Sequence, residues 1–347
     1  MKIALYYEKS TFAERWKAYC ERNNIDYKIV NVYDSDIIQQ LEDCDAFLWH
    51  HNQSYYKDLL FAKQLLYSLQ FSGKKVFPDF NTGWHFDDKV GQKYLLESLK
   101  IPFAPSYVFY SKKDALRWVE STTFPKVFKL RGGAGSRNVM LAKNKKEAIS
   151  LIRRAFGRGF SQFNRIEYLK DRVRKYKLGL DTLWGVIKGL ARIFIITDLA
   201  KMRAPEKGYV LFQDFIPNNK FDIRLVIIGD KAFAIKRMTR KGDFRASGSG
   251  VFHYDKNEFD INWIKMGFDV NKKIKSQSLA LDIVFDAMNN PLIVEMSYGF
   301  VYKVYNPKTC QGYWTSDLEW HEGYFNPQEW MIENLISEVT AQSNTSL

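Results

Sequence analysis

Short apolar runs alternate with amphipathic stretches over the first 80 residues of the chain. The predicted strands span residues 2–7, 27–32, 46–49 and 75–77. The predicted helices span residues 12–23, 37–44 and 56–71. Strands that alternate with helices in this way predict a small parallel sheet in an open α/β lobe. No GxGxxG motif follows the first strand, so the pattern gives no support to a dinucleotide-binding site.

The second half of the chain has a different pattern, because strand-like runs follow one another there with fewer helices between them. The predicted strands span residues 210–216, 223–228, 232–238, 276–285 and 292–296. Gly229-Asp230 fits a tight hairpin turn between the second and third of these strands. This pattern predicts an α+β region with antiparallel pairing, joined to the α/β lobe by an amphipathic helix at residues 87–100.

These patterns divide the chain into four predicted parts. They are an N-terminal lobe at 1–80, a linking helix and the start of a central lobe at 81–124, a smaller subdomain at 125–212 and a larger subdomain at 213–347. A chain of 347 residues that is 46% hydrophobic can bury the core that such lobes require.

Composition excludes several classes of protein. No apolar run approaches the roughly 20 residues of a membrane-spanning helix. The three cysteines, Cys20, Cys44 and Cys310, lie far apart, which predicts neither a disulfide framework nor a zinc site and fits a cytoplasmic protein. The formal charge of +13 first raises the question of a nucleic-acid partner. However, residues 157–208 hold 12 Lys and Arg against 5 Asp and Glu, so more than half of the excess charge belongs to one segment.

A glycine-rich turn between two strand-like runs is the first candidate for chemistry. The sequence from Phe124 to Val139 delivers Lys129 beside the turn Gly132-Gly133-Ala134-Gly135-Ser136. Backbone N–H groups of such a turn can bind phosphate oxygens, and the lysine adds a positive charge. The alternative is an ordinary loop, and no Walker motif is present because GK[ST] does not follow at the required spacing.

Polar residues also interrupt the apolar strands of the second half. Gln213, Asp214 and Phe215 could present backbone groups to an adenine edge, or form a surface turn. Arg224, Arg237 and Arg245 could converge on an anionic group, since arginine suits phosphate and carboxylate oxygens, or could lie on a solvated sheet face.

Asp282 and Glu295 each lie within an apolar, strand-like stretch, where an unpaired carboxylate is costly to bury. Two such carboxylates on adjacent strands are natural ligands for Mg²⁺. The alternative is that each carboxylate pairs with a nearby lysine or arginine. The sequence favours the metal site, because both carboxylates occur in the same context.

Taken in this order, the motifs resemble those of the ATP-grasp superfamily, and most closely those of the ribosomal-protein glutamate ligases. The resemblance covers about residues 86–300, without the basic segment. It implies an ATP-grasp fold preceded by the open parallel α/β lobe, with ATP and Mg²⁺ as cofactors. The family usually has asparagine two residues after its metal-binding glutamate, whereas this chain has Ser297, whose hydroxyl can also bind Mg²⁺.

The resemblance also implies roles for individual residues. Lys89 and Lys129 look like phosphate-binding lysines, and Gly132, Gly133, Ala134, Gly135 and Ser136 look like the loop over the β- and γ-phosphates. Gln213, Asp214 and Phe215 look like the adenine hinge, and Asp222 looks like a nucleotide-binding acid. Arg224, Arg237 and Arg245 would hold the substrate carboxylate, the γ-phosphate and the anionic intermediate. Asp282, Glu295 and Ser297 would bind Mg²⁺.

The implied activity is that of a carboxylate–amine ligase, which transfers the γ-phosphoryl group to a carboxylate and lets an amine displace the phosphate. A saccharide or an amino acid is an expected substrate, with a surface glycan as one candidate product. The alternatives are a small-molecule kinase on the same fold and a non-catalytic protein that binds anionic surfaces. A homodimer is also expected from the family.

Residues 157–208 read as an insertion into the family pattern. Apolar residues from Ile166 to Phe194 recur at steps of mostly three and four, which predicts a basic amphipathic helix with a break near Gly179 or Gly185. This helix could pack on the body of the protein. Alternatively, it could bind the inner face of an anionic membrane or an acidic polymer, whereas nucleic acid is not expected.

Overall fold

The computed structural model describes residues 1–133, 138–161, 169, 172–173, 176, 182–194, 204–239, 250–301, 304–305 and 309–345. The N-terminal lobe contains a parallel sheet in the order β2-β1-β3-β4. Its strands are β1 Lys2–Tyr6, β2 Asp26–Val30, β3 Ala46–Leu48 and β4 Lys75–Phe77. The helices between them are α1 Ala13–Arg22, α2 Ile37–Gln40 and α3 Tyr56–Phe71. The alternation of apolar and amphipathic segments therefore predicted this lobe correctly.

A small antiparallel sheet follows, in the order β5-β8-β6-β7. Its strands are β5 Ser106–Phe109, β6 Lys126–Lys129, β7 Val139–Ala142 and β8 Val210–Asp214. The helices before and around it are α4 Phe80–Gly83, α5 Lys89–Ser98, α6 Lys112–Ser121 and α7 Lys145–Ala155. Because β5 pairs with β8, this sheet draws strands from both sides of the predicted boundary at residue 124.

A large sheet in the order β13-β12-β9-β10-β14-β15 forms the C-terminal part, and β11 also pairs with β10. Its strands are β9 Phe221–Ile228, β10 Lys231–Met238, β11 Phe252–His253, β12 Leu279–Phe285, β13 Pro291–Ser297, β14 Gly312–Thr315 and β15 Trp320–Glu322. Further helices are α8 Leu183–Phe194, α9 Ile261–Ile274 and α10 Pro327–Thr345, with a 3₁₀ turn at Lys256–Glu258. Helix α8 continues through Gly185, so the predicted break does not occur there, and Gly179 lies outside the described residues.

The two faces of β9 have different partners because its side chains alternate. Ile223, Leu225 and Ile227 pack under α9, while Val226 and Ile228 join the core that the large sheet shares with the N-terminal lobe. Four aromatic residues between positions 298 and 330 also belong to these cores, since the rings of Tyr298, Tyr305, Trp314 and Trp330 are buried. Within the described part of the chain, no helix combines the length and the apolar character needed to cross a membrane.

Close packing of α9 on β9 gives a first prediction. A Cβ atom at Gly267 would lie 2.3 Å from Leu225 Cδ2 and 3.2 Å from Ile227 Cδ1. Gly267→Ala should therefore lower the free energy of unfolding by about 1–3 kcal/mol, although alanine has the higher helix propensity. Urea unfolding measures this difference. Lys272→Ala on the exposed side of α9 is the control, expected to change stability by less than about 0.5 kcal/mol. An equal effect at the two positions would contradict the close packing.

Candidate functional site

A cleft of about 470 Å³ lies between the small antiparallel sheet and the large sheet, and it extends to the N-terminal lobe. The predicted site residues that line it are Lys129, Gln213, Asp214, Phe215, Asp222, Arg224, Arg237, Asp282, Glu295 and Ser297. Lys89 lies next to Lys129 and Glu295 at a smaller neighbouring pocket. The structure thus brings residues separated by up to 208 positions in sequence into one cleft.

Strand register explains how the charged residues meet. Asp222 of β9 lies opposite Arg237 of β10, while Arg224 of β9 lies opposite Asp282 of β12. Asp282 in turn lies opposite Glu295 of β13. Because side chains directly opposite each other project from the same face of a sheet, all five side chains share one face. Four neighbouring strands therefore build a charged floor under the cleft.

Ion pairs join most of this floor. Arg237 Nε and Nη2 donate to Asp222 Oδ1 and Oδ2 at 2.6 Å each, and Arg237 Nη2 is also 2.9 Å from Asp282 Oδ2. Arg224 Nε and Nη2 donate to the two oxygens of Asp282 at 2.7 Å each. Although burial opposes ionisation, these two guanidinium groups hold the pKa of Asp282 well below its usual range.

Two buried lysines approach this floor, Lys129 from β6 of the small sheet and Lys89 from helix α5. Lys129 at the end of β6 donates from Nζ to the carbonyl oxygen of Val294 at 2.9 Å, and Lys89 Nζ is 3.1 Å from Glu295 Oε1. Burial, together with the charge of Lys89, lowers the pKa of Lys129 to about 8. The pKa of Lys89 is raised instead, because the carboxylates of Glu295 and Asp87 outweigh its burial. Lys129 is thus a buried amine without a carboxylate hydrogen-bond partner among the described residues.

The glycine-rich turn is held by carboxylates that the sequence analysis did not identify. Gly133 N–H donates to Asp87 Oδ1 at 2.7 Å, and Gly132 N–H donates to Glu206 Oε1 at 3.4 Å. Glu206 also accepts from the N–H of Arg131 at 3.1 Å. Asp87 and Glu206 thus accept hydrogen bonds from backbone N–H groups of the kind that can bind phosphate oxygens. Ala134, Gly135 and Ser136 lie outside the described residues, as does Arg245.

The other end of the cleft begins where the chain crosses from β8 to β9. Gln213 is fixed by a hydrogen bond from Nε2 to Ser106 Oγ at 3.0 Å, and Asp214 forms an ion pair with Lys126. Apolar side chains of Val127 and Val139 line this end together with Phe215 and Ile216. Apolar lining residues of this kind suit a purine ring. The assignment of Gln213, Asp214 and Phe215 as an adenine hinge stays a prediction.

Few side chains of the cleft could act as ligands for a metal ion. Among the described residues, no group of three or more His, Cys, Asp and Glu side chains is arranged to hold an ion. Asp282 pairs with two arginines and Glu295 with Lys89, so the ion-pair alternative raised by the sequence is realised at both carboxylates. Even so, their oxygens and Ser297 Oγ face the same cleft. Such a set fits Mg²⁺ that takes its remaining ligands from phosphates and water, as this ion commonly does.

Comparison with known proteins places these observations in context. Residues 193–302 match the RimK-like ATP-grasp domain family. No curated protein matches the chain significantly. The D-alanine–D-alanine ligase from Bacillus anthracis superposes with a TM-score of 0.59 at 15% identity, covering 99% of each chain.

Two further structures give similar superpositions. A RimK domain ATP-grasp protein from Sphaerobacter thermophilus gives a TM-score of 0.55 at 13% identity, over 96% of this chain and 99% of that one. D-cycloserine synthetase DcsG gives 0.60 at 11% identity, over 97% and 99%. The predicted ATP-grasp fold is confirmed by these superpositions. The whole chain therefore has the fold of these structures, and residues 193–302 resemble the RimK-like ATP-grasp domain.

Proposed function

We propose that the cleft binds Mg·ATP and that the protein joins a carboxylate to an amine with release of ADP and phosphate. The observation that carries this proposal is the arrangement of two buried lysines, Lys89 and Lys129, against the in-register carboxylates Asp282 and Glu295. The carboxylate oxygens suit the metal ion of a metal-bound triphosphate, and the buried ammonium groups suit its negatively charged phosphates.

The residues of the cleft would act by position and charge. Lys89, Lys129 and the N–H groups of Gly132 and Gly133 would bind phosphate oxygens and align the γ-phosphoryl group with a substrate carboxylate. Transfer of that group gives an acyl phosphate and ADP. The amine then displaces phosphate to form the amide. Because phosphoryl transfer requires mainly alignment and charge stabilisation, no covalent bond to the protein is needed.

Asp282, Glu295 and Ser297 would hold Mg²⁺, which neutralises phosphate charge during transfer. In the described structure, Arg224 and Arg237 are bonded to Asp222 and Asp282. They therefore act first by fixing the orientation of these carboxylates. The guanidinium N–H groups that are not used in these ion pairs would be available to a carboxylate or phosphate of the substrates.

Release of ADP tests the activity. We expect Mg·ATP to be consumed only when a carboxylate and an amine are both present, with one ADP formed for each amide. Panels of amino acids, uronic acids and amino sugars supply the two substrates. Glu295→Gln should reduce turnover at least about 100-fold, because the variant loses a charged ligand. ADP release that requires a carboxylate but no amine would instead identify the kinase alternative.

The basic insertion favours substrates at an anionic surface, such as a surface glycan or its precursor. Leu183, Trp184, Ile187 and Leu190 of α8 are 47–61% exposed and lie at helical spacing. The segment around them carries most of the excess positive charge. A basic helix with exposed apolar residues and tryptophan suits a membrane interface.

Co-sedimentation with vesicles tests this placement. We expect binding to vesicles that contain phosphatidylglycerol and a loss of binding for Trp184→Ser/Ile187→Ser. Lys272→Ala, on the distant helix α9, should bind like the wild-type protein. Equal sedimentation with neutral and anionic vesicles would contradict the proposal.

A further inference from the structure

His50 lines the cleft from the N-terminal lobe. It follows β3, and its ring stacks on Phe12 with a centroid distance of 3.8 Å and an angle of 4°. The backbone N–H of Phe12 donates to His50 Nδ1 at 3.2 Å. Since Nδ1 accepts this hydrogen bond, the neutral ring carries its proton on Nε2. Burial also lowers the pKa of His50 to about 3, so the ring stays neutral at physiological pH.

The Nε2 atom of His50 faces a small opening. A Cβ atom at Gly299 would lie 3.4 Å from His50 Nε2 and 4.0 Å from Ser297 Oγ, so glycine leaves space between these two groups. Among the described residues, Nε2 has no hydrogen-bond partner. We call this space, bounded by His50, Ser297 and Gly299, the histidine slot. His51 differs, because it is buried against Phe86 and Tyr298.

Among the described residues, the wall beside the histidine slot presents no lysine or arginine to the cleft, and behind it Lys63 Nζ donates to the carbonyl oxygens of Trp84 and Phe86 at 2.7 and 3.0 Å. His50, Asn52 and Gln53 of the N-terminal lobe line the cleft together with Phe86 and Asp87, and none of these five is a lysine or arginine. The cationic groups Lys129, Arg224 and Arg237 belong to the two sheets instead. A carboxylate bound against this wall would therefore contact no lysine or arginine among the described lining residues. An amine substrate whose neighbouring oxygen is uncharged fits this wall better than an amine that carries a carboxylate.

We propose that His50 Nε2–H donates a hydrogen bond to an uncharged oxygen, a hydroxyl or an amide carbonyl, of the amine substrate bound in the histidine slot. This inference rests on the proposed ligase function, since it assigns one end of the same cleft to the amine. Ser297, two residues after Glu295, places the slot next to the predicted phosphate and metal groups. His50 is thus a specificity-determining residue that selects against free α-amino acids.

Nitrogen NMR of ¹⁵N-histidine-labelled protein tests the proposal directly. The chain has only five histidines, and His50→Gln identifies the resonance of His50. We expect the Nε2–H tautomer and, with Mg·ADP present, a shift of Nε2 on addition of ethanolamine or glycinamide. Glycine should cause no shift. An Nδ1–H tautomer, a shift with glycine equal to that with glycinamide, or no response to either ethanolamine or glycinamide would overturn the proposal.

A variant that fills the slot provides the second arm. Gly299→Ala should weaken binding of whichever of these two amines causes the shift by about tenfold, equivalent to the loss of one hydrogen bond. His321→Gln, on exposed β15, is the matched control and should respond like the wild type. A wild-type response in Gly299→Ala would contradict the slot. If the wild-type protein does not bind Mg·ADP, the proposed function itself is contradicted. Failure of the histidine slot and failure of the proposed function can therefore be distinguished.

Discussion

Replacing Arg237 by alanine is expected to lower the free energy of unfolding by about 3–5 kcal/mol. The side chain is buried, and it forms two hydrogen bonds to Asp222 and an ion pair with Asp282. Its removal leaves the buried carboxylate of Asp222 without its guanidinium partner. The cost of that uncompensated charge exceeds the net value of the ion pair itself, which is why the expected loss is large.

Chemical unfolding of Arg237→Ala beside Arg117→Ala measures this effect. Arg117 pairs with Asp114 across 3.4 Å, but both side chains are more than half exposed. An exposed pair of this kind contributes about 0–1 kcal/mol, so the control should change little. A loss below about 1 kcal/mol for Arg237→Ala would mean that the charged floor is hydrated and does not depend on this arginine.

Lys129→Met should affect binding and stability in opposite directions. A charged hydrogen bond to phosphate contributes about 1.5–3 kcal/mol, so the affinity for Mg·ATP should fall about 10- to 150-fold. The free energy of unfolding should stay the same or rise. The folded-state pKa of Lys129 lies below its ordinary value of 10.5, so the cost of burying the ammonium grows as the pH falls from 10.5 to about 8 and is complete below that pH. Methionine removes this cost.

Proton uptake gives an independent signature for Lys129. Because its pKa is about 8, roughly half of these side chains are neutral at pH 8 in the free protein. Bound phosphate raises that pKa, so binding should take up about half a proton. Calorimetry in two buffers with different heats of ionisation measures the uptake. Lys143→Met, at an exposed position after β7, should retain both affinity and uptake, and a wild-type affinity in Lys129→Met would contradict the assignment.

The sequence predicts the lobes because their signals are local. Alternating apolar and amphipathic segments define the parallel sheet, and the runs that contain Arg224, Arg237 and Asp282 do become neighbouring strands. Apolar context also marks Asp282 and Glu295 as unusual carboxylates, and both lie in the cleft. Those features depend on residues close in sequence.

The sequence does not predict the pairing of the charges, because strand register decides it. Whether Asp282 faces a metal or Arg224 depends on contacts between residues 58 positions apart. Asp87 and Glu206 at the glycine-rich turn were missed for the same reason, since neither belongs to a local motif. Glu206 reaches the turn because its backbone pairs with Phe160 in both directions at 2.9 Å, at the base of the basic insertion.

Calorimetric titration of ATP with and without Mg²⁺ tests most directly whether the cleft is a Mg·ATP site. We predict that the wild-type protein binds one equivalent and that chelation of Mg²⁺ weakens binding, while Glu295→Gln binds more weakly and loses most of the response to chelation. Lys272→Ala, on the far side of the large sheet, should match the wild type. The absence of ATP binding by the wild-type protein, or an unchanged Mg²⁺ response in Glu295→Gln, would contradict this account of the cleft.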